Sequence, residues 1–329
     1  MKAFVTGATG FIGGNLVREL LKQGYQVKAL VRNESNRKNI EGLDMDVIFG
    51  ELRDKVSLDH ALNGCDVLFH VAASYTFWAP DPKAIYETNV KGTENMLTTA
   101  LAKRIKKVVY TSTESTIGIA QDGSLGTEDM EAEPSNLIGH YKKSKYMAEK
   151  LALKMCHEGL PLVVVNPTTP VGPFDVKPTP TGKFIVDFLN RKMPVYVNTG
   201  LNLIDVEDVA KGHILALERG RIGEKYILGN KNLSFKEILS ILERITGIKA
   251  PWLRIPIWLA LGAAYIDEFV WGKALGRYPR IPISGVQAAR KFRYFDCSKA
   301  TRELGLPQTP VEEALEKAVG WFRENEYTQ

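Results

Sequence analysis

With 329 residues, 44% of them hydrophobic and 25% charged, the chain has the balance of a globular protein with room for one extensive core or two smaller ones. Its net charge of +5 is small and its basic residues are scattered; the tightest groups, at 104–107 and 290–293, read as solvated surface, which argues against a nucleic-acid partner. Cys65, Cys156 and Cys297 lie far apart without metal-ligand spacing, so no metal site or disulfide framework is expected, and a reducing, cytoplasmic location is.

In chain order, an apolar strand pattern over residues 1–5 runs into Gly7, Gly10 and Gly13, and an amphipathic segment follows over 12–23. This predicts a phosphate-cradling turn. Gly7 permits the tight exit from the strand, Gly10 the close approach of a pyrophosphate, and Gly13 the packing of the new helix on the sheet. The helix N-terminus then offers N–H groups to the anion. No secretory signal is expected, because the strand pattern begins at residue 2. Further strands are predicted at 26–31 and 45–50, a helix at 55–62, and a nearly continuous apolar strand at 66–72 (DVLFHVA), as in a parallel sheet buried on both faces. A long helix over 82–103, a strand over 106–111, a helix over 137–157 and a strand over 160–166 complete repeated βα units. They predict an α/β fold: a Rossmann-type doubly wound parallel sheet with helices on both faces.

Beyond Asn166 the prolines at 167, 170, 173, 178 and 180 interrupt regular structure. A helix (183–191), a strand (195–197), a helix (206–219), a strand (225–228) and helices at 296–304 and 311–323 follow. The layout suggests an NAD(P)-binding domain of residues 1–166 and 200–230, interleaved with a smaller, mainly helical substrate domain of 167–199 and 231–329. Residues 255–275 read IPIWLALGAAYIDEFVWGKAL; the uncharged stretch 255–266 is 12 residues, too short to span a bilayer. A buried helix or the wall of an apolar pocket is expected there. An interfacial membrane helix is the lesser alternative, because the segment lacks a cationic polar face.

The strongest catalytic signal is Tyr141-Lys-Lys-Ser-Lys145 on a predicted helix, where a spacing of four puts Tyr141 and Lys145 on one face. A phenol of reference pKa about 10 serves as an acid/base near neutrality only if a nearby cation stabilises its phenolate. The pair follows a strand ending Thr111-Ser-Thr113, on the sheet edge where doubly wound folds bind ligands, and a hydroxyl there can hold a substrate oxygen. The second predicted strand ends at Arg32. An NAD enzyme would carry an acid at this place, whereas a guanidinium suits a 2′-phosphate, with Arg37 as a helper. NADP(H) is therefore favoured over NAD(H).

These residues, with TGATGFIG at 6–13, HVAA at 70–73, Asn89 in TNVKGT and NPTTPVGP at 166–173, resemble the extended branch of the short-chain dehydrogenase/reductase superfamily, the NAD-dependent epimerase/dehydratases, over essentially the whole chain. The resemblance implies that Tyr141 is the general acid/base and that Lys145 lowers its pKa and binds the nicotinamide ribose. Thr113, where serine is usual, orients the substrate oxygen, and Asn89 supports the polar network. It implies cofactor contacts from Gly7, Thr9, Gly10, Phe11, Ile12, Gly13, Arg32, Arg37, Glu51, Leu52, Ala72, Ala73, Thr111, Tyr141, Lys145, Asn166, Pro167, Thr168 and Thr169. Glu51 stands where aspartate is usual. A homodimer through the two long helices is the family expectation.

For the substrate, Ser74, Tyr75 and Trp78 lie where a loop would overhang the nicotinamide, together with Thr113 and His140; a residue next to Tyr141 on a helix points about 100° away, so packing is the default for His140. The run VVNPTTPVGP resembles dihydroflavonol-4-reductase-type enzymes. HVAASYTFWAPDP, IGHYKKSK, NPTTPVGPFDVKPTPTG and the segment 199–229 resemble the bacterial group called hopanoid-associated sugar epimerases. Three functions follow: an NADP(H)-dependent oxidoreductase of a carbonyl or alcohol, a sugar-nucleotide epimerase or dehydratase, and a non-catalytic redox sensor. The intact Thr113, Tyr141 and Lys145 set argues against the sensor, and the apolar 255–266 run suits a greasy substrate.

Overall fold

A computed structural model describes residues 1–119 and 123–328; residue 329, the end of the second predicted unit, lies outside them. In chain order the first half runs β1 (Lys2–Thr6), α1 (Phe11–Lys22), β2 (Gln26–Val31), β3 (Asp46–Phe49), α2 (Lys55–Ala61), β4 (Val67–His70), α3 (Lys83–Tyr86), α4 (Gly92–Ala102), β5 (Lys107–Thr111), α5 (Gly139–His157) and β6 (Leu162–Pro167). There follow β7 (Thr169–Val171), α6 (Pro180–Leu189), β8 (Val195–Val197), β9 (Gly200–Asp205), α7 (Val206–Arg219), β10 (Lys225–Leu228), β11 (Lys231–Ser234), α8 (Phe235–Thr246), β12 (Leu253–Ile255), α9 (Ile257–Asp267), α10 (Ile283–Ala288) and α11 (Val311–Glu324).

Seven strands form one parallel sheet in the order β10-β6-β5-β4-β1-β2-β3. Its central strands are buried on both faces, which is why β4 and β6 read as unbroken apolar runs. Leu16, Leu20, Val209 and Ile214 of α1 and α7 fill one face; Met96, Leu97, Ala148 and Ala152 of α4 and α5 fill the other. The chain winds outward from β1 to β3, then restarts at β4 and winds the opposite way. The crevice at this reversal, outside the carboxyl ends of β1 and β4, is where such sheets take ligands. A third apolar cluster joins α6, α8 and α11 around Phe188, Leu242 and Phe322.

Two expectations change. The helix predicted over 82–103 is divided: α3 and α4 are separated by a wider π turn over Glu87–Lys91, and that turn carries Asn89. The run 255–275 is not buried. It forms α9 and a π turn over Glu268–Ala274, and only Ala260, Ala264 and Gly272 within those two elements are buried. Apolar composition alone does not bury a helix that lacks a packing partner for every face.

Candidate active site

At the end of β1 the backbone turns through Gly7 at φ +78°, and a Cβ there would sit 2.7 Å from the Ala72 nitrogen. A Cβ on Gly13 would lie 2.1 Å from the Gly7 carbonyl oxygen, so α1 approaches the strand as closely as it does only with glycine at this position. Gly10 is exposed and caps α1 without any side-chain bond, leaving first-turn N–H groups of Phe11, Ile12 and Gly13 outside side-chain capping. Asn39 ties the loop from behind, its amide donating to the carbonyls of Thr9 and Gly10 at 3.1 and 3.3 Å. The cradle that a pyrophosphate requires is therefore built into the backbone.

Around it, the other residues expected at the cofactor line the same sheet edge. Arg32 is exposed immediately after β2 and has no ion pair or side-chain hydrogen bond among the described residues. Arg37 is exposed but lies over the Phe49 ring, 4.7 Å from its centroid. Glu51 is engaged with Arg53 at 2.9 Å, and Leu52 is buried with its carbonyl accepting from Asn95. The Ala72 N–H donates to the Thr6 hydroxyl, and Ala73 follows it, exposed. Thr111 turns its hydroxyl to His213, 2.9 Å away, and offers its carbonyl to Lys145. Asn166 and Pro167 end β6, Thr168 bonds Asn202, and Thr169 starts β7. Two buried polar atoms at this edge, Ser112 Oγ and Asn166 Oδ1, have no partner among the described residues. Glycine cradle, uncapped helix, free guanidinium and unfilled polar atoms together fit a nicotinamide dinucleotide.

Tyr141 lies in the first turn of α5, with the Thr113 hydroxyl near its phenol. Burial pushes the Tyr141 phenol well above its ordinary pKa, the Glu114 charge adds to this, and the Thr113 hydroxyl works against it. Lys145 is fully enclosed. Its ammonium donates to the Tyr110 hydroxyl at 3.0 Å and to the Thr111 carbonyl at 2.7 Å, rather than to Tyr141. Burial lowers its pKa to about 7, opposed by Glu149. The Tyr141 phenol thus keeps its proton in the protein alone. Asn89 joins the pieces: its carbonyl oxygen accepts from the Ser74 N–H at 2.6 Å, and its amide donates to Ser144 Oγ at 2.9 Å. Ser144 in turn donates to the Tyr141 carbonyl. The π turn thereby fixes the 74–78 loop to the helix that carries the tyrosine.

Tyr75 stacks obliquely on Tyr141 with ring centroids 4.7 Å apart; nearly half its surface is exposed, yet its phenol end is desolvated and its pKa is raised by burial. Trp78 meets Tyr278 edge-on at 6.1 Å, in the wall opposite. His140 is exposed and points to Tyr86, its Nδ1 lying 3.2 Å from that hydroxyl, so the structure does not bring it to Tyr141.

Sequence reasoning missed a buried charge cluster beside Thr113. Glu114 accepts from Thr113 Oγ1 at 3.0 Å and Ser115 Oγ at 2.6 Å, and pairs with Arg293 Nε at 2.8 Å. Burial would raise the Glu114 carboxyl, but Arg293 and Lys142 together hold it below its ordinary value. Lys142 is itself buried, and its pKa falls to about 8 through desolvation and the Arg293 charge. Thr113 has one hydroxyl proton. In the protein alone it is donated to Glu114. The available signal was an acid set among hydroxyl residues (TSTEST) directly after a buried strand.

The fold and this site define an enzyme of the dinucleotide-binding α/β class. The chain belongs to the NAD dependent epimerase/dehydratase family, whose model matches residues 3–229. It is 49% identical to a Synechocystis sp. protein carrying the provisional name dihydroflavonol 4-reductase, over 99% of this chain and 96% of the relative. It is 33% identical to sterol demethylase protein B of Methylococcus capsulatus, over 98% and 99%. Among solved structures, the crystal structure of gox2253 superposes with a TM-score of 0.89 at 40% identity, covering 99% of each chain.

Proposed function

We propose that the chain is an NADP(H)-dependent oxidoreductase that interconverts a carbonyl and an alcohol on an apolar substrate, with Tyr141 as general acid/base. The observation that carries this reading is the convergence of Thr113, the buried Tyr141 phenol and the enclosed Lys145 at one end of β5, on the same sheet edge as the glycine cradle. When bound, the cofactor supplies the hydride. Tyr141 gives its proton to the carbonyl oxygen in reduction and takes it back in oxidation. Thr113 holds that oxygen by turning its one hydroxyl proton from Glu114 to the substrate, and the charged form of Lys145 supports proton exchange by the phenol. The exposed, unpaired Arg32 is the residue that would meet a 2′-phosphate, which supports NADP(H) over NAD(H). The aromatic lining of Tyr75, Phe77 and Trp78 supports an apolar substrate, in keeping with a relative whose name refers to a sterol.

The test is parallel: NADPH consumption by the purified protein against a panel of sterol, flavonoid and prenylated aromatic ketones, and interconversion of sugar nucleotides without added cofactor. Turnover in the first arm with freely exchanged cofactor is expected. Interconversion of a sugar nucleotide with a dinucleotide retained through purification would assign the chain to the epimerase side of its family.

A further inference from the structure

α9 is apolar all round (IWLALGAAYID), a composition that belongs in a protein interior or a lipid phase. Yet only Ala260 and Ala264 of this helix are buried. On the opposite side Trp258, Leu259, Tyr265 and Ile266 share one face at i, i+1, i+7 and i+8; Trp258 is 66% and Ile266 69% exposed. Phe269, in the following turn, is 63% exposed and Trp252, before the helix, 87%. Trp and Tyr with free polar tips suit a water–lipid boundary better than a dry protein interface.

The charge around this face is one-sided. Between residues 249 and 293 the only acids are Asp267 and Glu268, and both are occupied, accepting the backbone N–H groups of Ile281 and Ile283 at 2.9 Å. Lys249, Arg254, Lys273, Arg277, Arg280, Arg290 and Lys291 of the same segment are all exposed. Arg254 and Arg290 line one cleft of about 320 Å³ with Asn198, Pro256 and Ile257, at the foot of α9. Neither guanidinium has an ion pair or side-chain hydrogen bond among the described residues. Of these cations only Lys273 lies within 255–275; the other six flank it in the sequence.

The inner side of the same segment walls the active site. Gly272 is packed against the Trp78 indole, and Ser284 Oγ donates to the Phe77 carbonyl at 2.6 Å, in the loop whose Tyr75 touches Tyr141. We infer that the outer face of residues 252–281 docks on an anionic bilayer, with the Arg254–Arg290 cleft receiving a lipid phosphate. Its aromatic residues enter the headgroup boundary, and no helix among the described residues is long and apolar enough to cross the membrane.

The experiment is vesicle flotation of the full chain with phosphatidylcholine alone and with phosphatidylcholine plus phosphatidylglycerol, at low and high salt, with light scattering on the same samples. The wild-type protein should float with the phosphatidylglycerol vesicles and be released by salt. Trp258→Ser/Phe269→Ser and Arg254→Glu/Arg290→Glu should each bind roughly tenfold more weakly or less, with unchanged circular dichroism and unchanged mass in solution. Absence of the wild-type protein from both vesicle fractions would overturn the inference. So would a fall in mass on Trp258→Ser/Phe269→Ser, which would show that a second copy covers this face.

Discussion

Glu114→Gln tests whether the charge cluster beside Thr113 is part of the working site. The Glu114 and Arg293 side chains are each 13% exposed and meet at 2.8 Å. Removing one partner of a fully buried ion pair costs about 3–5 kcal/mol. A glutamine of the same shape still accepts one bond from Arg293 or Thr113, and slight exposure screens the remaining charge, so the expected loss is about 2–3 kcal/mol. The urea midpoint should fall while the slope of the transition stays constant. A second effect separates function from structure. The Glu114 charge is one of the causes that raise Tyr141, so neutralising it should move the pH limb that reports Tyr141 ionisation to lower pH in alcohol oxidation. Arg293→Met should leave the buried Glu114 carboxylate without its direct ion pair, with a larger loss of stability. An unchanged urea midpoint together with an unchanged pH profile in Glu114→Gln would refute the assignment of this cluster to the site.

Arg32→Ala should weaken NADPH binding by about 1.5–3 kcal/mol, the range for charge-assisted hydrogen bonds, and leave NADH nearly unaltered; equal losses for the two cofactors in a fluorescence titration would contradict the role given to this residue. Gly13→Ala places a methyl against the Gly7 carbonyl, so both the thermal midpoint and dinucleotide binding should drop, whereas Gly24→Ala, away from the cradle and with open space around its Cβ, should leave dinucleotide binding intact. Lys145 has a folded pKa of about 7 against an ordinary 10.5, so the unfolded chain binds more protons between those values. Stability of the cofactor-free protein should therefore rise as pH increases through that window, and Lys145→Met should flatten the rise in denaturation curves taken across it. A rise of the same size in the variant would mean that other groups produce it.

The parts of the fold that were readable in advance are those set by local pattern. The strand–glycine–helix unit at residues 2–22 and the amphipathic α7 carry their periodicity within a dozen residues, and both appear where expected. Tyr141 and Lys145 were found because a four-residue spacing is itself a statement about a helix face. What Lys145 touches was not legible, since Tyr110 and the Thr111 carbonyl reach it from 35 and 34 positions away. Arg293 lies 179 residues from Glu114, and nothing local to either announces the pair. The π turn at Asn89 was hidden because its residues have ordinary helical preferences; only the bonds to Ser74 and Ser144 give its purpose. For 255–275 composition misled, because hydrophobicity reports a tendency to leave water and says nothing of whether this chain supplies the covering surface.

The account turns on Tyr141 as the residue that moves the proton. Tyr141→Phe removes one hydroxyl and keeps the ring against Tyr75, so the cofactor cradle and the loop should be undisturbed. Measured on the substrate that the NADPH screen identifies, turnover should fall by roughly 10²–10⁴-fold, as expected for loss of general acid/base help, while NADPH binds with nearly unchanged affinity. Turnover close to that of the wild-type protein would contradict the central assignment.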